Sequence, residues 1–213
     1  MSILVTGFDR GNDPVNASEV LVNSLRDNLP RELSPFCDQL HFVILPLSTR
    51  RVWDVLSTEI ASRQPRYCVL TGQAKGRNRV ELERLATNIT DFDSPDADGL
   101  SPRGELIVSD GPAACWSTLP HQRAMVDDLN RCGIPAAMSN YAGNHLCNQV
   151  LYRTLHWAQC VGSGLQCGFV HIPPLPQQAQ EQWPDTPFMP LDMTRGALER
   201  ILLLLLKGED GLS

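Results

Sequence analysis

Apolar and polar positions along the chain follow two periods. Short apolar runs closed by Gly, Pro or Ser-Asn occupy residues 2–6, 41–47, 67–71, 134–140 and 168–173, the pattern of buried strands. Helical spacing fills the intervals. Residues 17–29 carry Val20, Leu21, Ser24, Leu25 and Asn28 on one face, and residues 49–63 carry Val52, Val55, Leu56 and Ile60, with Pro65 ending that helix. Residues 117–132 predict a helix with Met125, Leu129 and Cys132 inward and Ser117-Thr118 as its N-cap. Cys147, Val150, Leu151, Thr154, Leu155 and Ala158 define another helical face, and residues 191–207 a final helix. A short strand is expected at 105–108. Strands alternating with helices imply an α/β fold, a three-layer α/β/α sandwich around a mostly parallel twisted sheet, read as one domain over 1–213.

The loops of such a sheet carry its chemistry, because ligands bind beyond the carboxyl ends of the strands. Residues 7–16 form the first such loop and lack G-x-G-x-x-G, so they are no dinucleotide fingerprint. Gly72-Gln73-Ala74-Lys75-Gly76-Arg77 resembles a phosphate cradle in its glycines but lacks the G-K-[ST] ending of a P-loop. Residues 88–104 are rich in Asp, Ser, Pro and Gly, with too little apolar content to pack independently, and are expected to be a long surface excursion, either a functional loop or a mobile one. Their aspartates lack the glycine and closing glutamate of an EF-hand. A Pro-rich connection spans 173–190.

Net charge is −6 with a pI near 5.3 and no basic run, which argues against nucleic acid or an anionic membrane as partner. The first seven residues lack a basic n-region, and the apolar run at 201–206 is too short to span a bilayer, so a cytoplasmic location is expected. Seven cysteines without a C-x-x-C pair fit reduced thiols better than a disulfide framework or a zinc site.

One cysteine stands apart. Cys147 falls in the first turn of its helix, where free backbone N–H groups and the helix dipole favour a thiolate, the nucleophilic form. Ala142 and Gly143 just before it leave room for a carbonyl to approach the backbone. His171, near the carboxyl end of the last strand, supplies an imidazole at the same end of the sheet. Glu81 and Glu83 are both candidate carboxylate partners, and their local pattern does not separate them.

Taken in order, several blocks resemble the pyroglutamyl peptidase I family, cytosolic cysteine peptidases that remove an N-terminal 5-oxoproline. They are residues 3–8, Val15-Asn16-Ala17-Ser18, Gly72-Gln73-Ala74-Lys75-Gly76-Arg77, Glu83-Arg84-Leu85-Ala86-Thr87-Asn88, residues 117–120, 133–136 and 139–143, Leu146-Cys147-Asn148, and residues 168–173. The resemblance implies Cys147 as nucleophile, His171 as general base and then acid, and Glu83, which heads the Glu-Arg motif, as the group orienting the imidazole. It further implies Phe8, Gly72, Gln73, His145 and Leu146 at the substrate, no metal or organic cofactor, a peptide or small amide as substrate, and a monomer, homodimer or homotetramer.

The departures concern the pocket. The family's first loop reads Gly-Phe-x-Pro-Phe-Gly-Gly, whereas Gly7-Phe8-Asp9-Arg10-Gly11-Asn12 is shorter and lacks the second aromatic. His145 stands where the family has Phe or Tyr. Asp91-Phe92-Asp93-Ser94-Pro95-Asp96 stands where it has Asp-Ala-Arg-Ile-Pro-Asp. These changes predict a more open and more polar ring pocket, and they leave open a related amidase with another small acyl substrate, or a silent binding homologue.

Overall fold

A computed structural model describes residues 1–181 and 183–207; Gln182 and the end of the predicted domain, 208–213, lie outside them. The elements run β1 (Ile3–Phe8), α1 (Ala17–Asp27), β2 (Leu40–Leu45), α2 (Val52–Arg63), β3 (Tyr67–Gln73), β4 (Val80–Glu83), β5 (Leu85–Thr87), β6 (Ala114–Trp116), α3 (Gln122–Arg131), β7 (Ala136–Ser139), α4 (Leu146–Val161), β8 (Gln166–Ile172), α5 (Pro176–Glu181) and α6 (Leu191–Lys207). A 3₁₀ turn, Ser34–Gln39, leads into β2.

The main sheet has the order β2-β1-β3-β8-β4-β7. The first four strands are mutually parallel, β4 and β7 are parallel to each other, and β4 meets β8 antiparallel. Ile3, Val5, Val69, Val170 and Leu82 join α1, α3 and α6 in one core, while Leu4, Leu70, Cys167 and Phe169 join α2 and α4 in the other. Strand residues alternate faces with period two, so a single sheet feeds both cores. This is the three-layer α/β/α arrangement of a mostly parallel sheet. No helix of the described residues is long and apolar enough to cross a membrane.

Two sequence expectations fail for identifiable reasons. Residues 117–121 are not helical, and α3 starts only at Gln122. Ser117 and Thr118 are bound instead to β8: Ser117 Oγ donates to Cys167 O, and Thr118 Oγ1 accepts from Cys167 N. Leu119 also precedes Pro120, which disfavours helical backbone there. No strand forms at 105–108. Thr90 and Glu105 exchange one pair of backbone bonds, and the Asn88 side chain takes both Val108 N and Val108 O, so no ladder continues. Residues 88–104 form the expected surface excursion, and it is anchored against the rest of the chain. Phe92 is fully buried, and the Asp96 carboxylate accepts from the backbone N–H groups of Thr49, Asp98 and Leu100.

Candidate active site

Period-two alternation decides which strand residues can meet α4. Val170 and Ile172 face the α1/α3/α6 core, so Phe169 and His171 face α4; likewise Val80 and Leu82 face away, so Glu81 and Glu83 face α4. In register, His171 lies beside Gly72 on one flank and Glu81 on the other, and Glu83 is opposite Phe169. Glu83 is therefore the diagonal neighbour of His171, within reach of a long side chain.

That diagonal is closed by a hydrogen bond of 2.7 Å from His171 Nδ1 to Glu83 Oε1. Glu83 is fully buried and His171 nearly so. Arg77 Nη1 meets the same Oε1 at 2.5 Å and also pairs with Glu81, while its Nη2 donates to Tyr141 O at 2.7 Å. Glu81 is held in addition by Arg79 at 3.1 Å. The two carboxylates that their local pattern left equivalent thus differ: Glu83 binds the imidazole and Glu81 binds two guanidinium groups. Arg77 is a residue that motif reasoning left without a role. Its position six residues before Glu83 gave no signal, because the contact forms only when the 74–79 loop folds back over β4.

Cys147 occupies the second position of α4, after Leu146, and lies over Gly72. A Cβ at position 72 would stand 2.9 Å from Cys147 Sγ and 2.7 Å from Phe169 Cζ, so glycine here makes room for the sulfur. Gly72 consequently supports the thiol from beneath and is not among the cavity-lining residues.

Charge states follow from burial and partners. Burial pushes the Glu83 carboxyl up, but the bond and charge of His171, with Ser139 and Arg77, outweigh it and hold the group below the ordinary range. Burial lowers His171 from its ordinary value, against the pull of Glu83. Cys147 is only partly buried as a residue, yet burial of its sulfur pushes the thiol up to about 12, with Glu83 adding and Arg77 and the residue's own backbone N–H opposing. Desolvation therefore outweighs the helix end at Cys147, and burial favours the protonated thiol and the unprotonated imidazole. This corrects the thiolate expected from the helix position alone.

A cavity of about 400 Å³ opens over Cys147, with His171 and Glu83 outside its lining. Phe8, Leu47 and Leu146 give it apolar walls, Gln73, Asn16 and Asn144 polar ones, and Lys75, Asp93, Ser94, His145 and Cys147 complete it. Gln73 is fixed through its carbonyl: Oε1 accepts from Ala17 N and from Gln178 Nε2, both at 2.8 Å. Because a backbone N–H can only donate, that atom is the oxygen, and Nε2 remains as the donor. Gln178 is itself buried, accepting from Leu175 N and donating to Val15 O. His145 stacks on Phe92, with ring centroids 3.8 Å apart, and its Nε2 donates to Ser94 O at 3.1 Å. Burial lowers its pKa, so it is a neutral aromatic surface with the proton on Nε2. The fully buried Phe92 supports that wall from behind, a contribution its place in a polar stretch gave no reason to expect.

A family profile described as pyroglutamyl peptidase matches residues 1–203. The chain is 35% identical over 208 residues to a pyrrolidone-carboxylate peptidase of Thermosipho africanus, covering 97% of this chain and 98% of that one. It is 36% identical over 200 residues to the enzyme of that name from Thermococcus kodakarensis, covering 93% of each. Among solved structures, the pyrrolidone carboxyl peptidase of Fervidobacterium islandicum superposes with a TM-score of 0.88 at 32% identity, covering 97% of this chain and 99% of that one. Pyroglutamyl peptidase I of Bacillus amyloliquefaciens does so with a TM-score of 0.83 at 32% identity, covering 94% of each.

Proposed function

Because the chain belongs to the pyroglutamyl peptidase family, we propose that it is a cysteine peptidase that hydrolyses the amide bond after an N-terminal pyroglutamyl residue. Cys147 is the nucleophile, His171 the base and acid, and Glu83 the orienting carboxylate. The observation that carries this reading is the buried 2.7 Å bond between His171 and Glu83 beside a cysteine seated over Gly72. With Nδ1–H directed at Glu83, Nε2 keeps its lone pair for the thiol proton.

As the substrate carbonyl arrives, the thiol proton passes to His171 Nε2 and Sγ bonds to the carbonyl carbon. The resulting oxyanion is met by N–H groups at the start of α4, which have no intrahelical acceptor. Its collapse breaks the C–N bond, and His171 returns the proton to the leaving amine. Water then adds to the thioester, giving its proton to His171, and the free acid leaves as Cys147 regains its hydrogen. Phe8, Leu47 and Leu146 enclose the ring, and Gln73 Nε2 meets a ring carbonyl. The polar wall at Asp93, Ser94 and His145 favours a second reading, an amidase of the same mechanism acting on another small acyl group.

The test is release of the fluorophore from a pyroglutamyl amide by the reduced protein. Cys147→Ala is expected to abolish turnover, and Glu83→Gln to lower kcat by about 10²-fold or more while Glu81→Gln lowers it much less. No cleavage by intact wild-type protein overturns the reading, and cleavage of other acyl amides in its place selects the amidase. A cytoplasmic location, one catalytic domain over 1–213 and a dimeric or tetrameric assembly belong to the same proposal. Sedimentation tests the last.

A further inference from the structure

The wall of the cavity is asymmetric in exposure. Phe8 and Leu146 are buried, whereas Asp93, Ser94 and Lys75 are exposed on its rim. A small acyl ring gains most from the buried part, and the chain attached to it has to leave through the exposed part. The residue released on hydrolysis therefore passes Asp93.

The charges at that exit are not equivalent. Lys75 stands with its ammonium 4.6 Å over the Trp183 ring, an attraction that holds the cation on that side of the rim without cancelling its charge. Asp93 makes no ion pair among the described residues. Its neighbours in the loop are committed elsewhere: Asp91 pairs with Arg103 at 3.8 Å, and Asp96 is filled by backbone N–H groups. Ser94, next in the chain, gives its carbonyl to His145, two residues before Cys147, so the Asp93 backbone is anchored beside the nucleophile's helix. The His145 ring is neutral and contributes no cation to answer Asp93.

Building on the proposed activity, we propose that Asp93 determines specificity for the released residue, favouring a cationic side chain immediately after the scissile bond and disfavouring an anionic one. Asp93 touches no reacting atom; its effect is on binding through an exposed, salt-screened charge.

The experiment compares kcat/KM for pyroglutamyl-arginine amide, pyroglutamyl-glutamine amide and pyroglutamyl-glutamate amide, the terminal amide removing a carboxylate that Lys75 would otherwise meet. Arginine is expected to exceed glutamine roughly three- to tenfold, and glutamine to exceed glutamate by a similar factor. The difference should lie mainly in KM and shrink at about 0.5 M salt. Asp93→Asn is expected to bring the arginine-to-glutamate ratio close to one, and Asp93→Arg to invert it. Equal kcat/KM for the three amides, or a ratio unchanged in both variants, overturns the role of Asp93 while leaving the activity intact. Failure to cleave any of the three overturns the activity and this inference with it.

Discussion

Cys147, His171 and Glu83 each titrate away from the ordinary value of their residue type, displaced by burial and by their neighbours. Burial holds the thiol near 12 and the imidazole below its ordinary 6.5, while Glu83 remains ionised. His171 has to be neutral to accept the thiol proton, so activity is lost as pH falls through a value below 6.5. The thiol keeps its proton until far into the alkaline range. kcat/KM for a pyroglutamyl amide is therefore expected to rise on the acid side and stay level across about pH 7–9. A descending limb below about pH 9 would instead indicate a resting thiolate–imidazolium pair. The ordered motifs in the sequence nominate these three residues and prefer Glu83 to Glu81, and in the fold it is Glu83 that bonds His171. Their protonation was not legible there, because it depends on how deeply the fold buries each group and on which charges it brings beside them.

Among the elements, α4 does more than display Cys147. Asn148, in its first turn and buried, accepts from Thr87 N and donates to Thr87 O and Ile89 O at 2.9–3.0 Å. This fixes the helix start to the segment that continues into the cavity loop, where Asp91 N donates to Asn144 O. Asn148→Ala strands one backbone donor and two acceptors, and is expected to destabilise the fold by about 2–3 kcal/mol in denaturant titration. A loss under about 0.5 kcal/mol would mean that water replaces the amide. The long elements were legible because their periodicity is sustained: β1, β3, α2, α4 and α6 lie close to where the apolar spacing predicts them. The short ones were not. β5, β6 and the late start of α3 are set by bonds to β8 and to Arg84, which local propensity does not encode. The antiparallel insertion of β4 was equally hidden, although it is what brings Glu83 diagonal to His171.

At the scale of the whole molecule, the cavity draws on the end of β1, the residue following Pro46, the end of β3, the 88–104 loop and the start of α4. Sequence reading gathered most of these by the rule that parallel strands deliver their loops to one end. It could not see that the connection after β8 reaches back to them, since α5 lies in a stretch dominated by proline. Gln178 of that helix shares Gln73 Oε1 with Ala17 N, so the amide lining the cavity is aimed by residues 56 and 105 positions away along the chain. In descent, neither glutamine is free to drift alone. A Gln178→Leu change releases the Gln73 amide to rotate, and a Gln73→Glu change sets a carboxylate where a donor faced the ring. Lineages that alter one are expected to alter the other in step. A double-mutant cycle on Gln73→Ala and Gln178→Ala should accordingly show about 1–2 kcal/mol of coupling in kcat/KM, where independent sites would show less than about 0.5 kcal/mol. A new acyl preference would then be reached by paired substitutions, and sampling position 73 by itself would keep returning inactive chains.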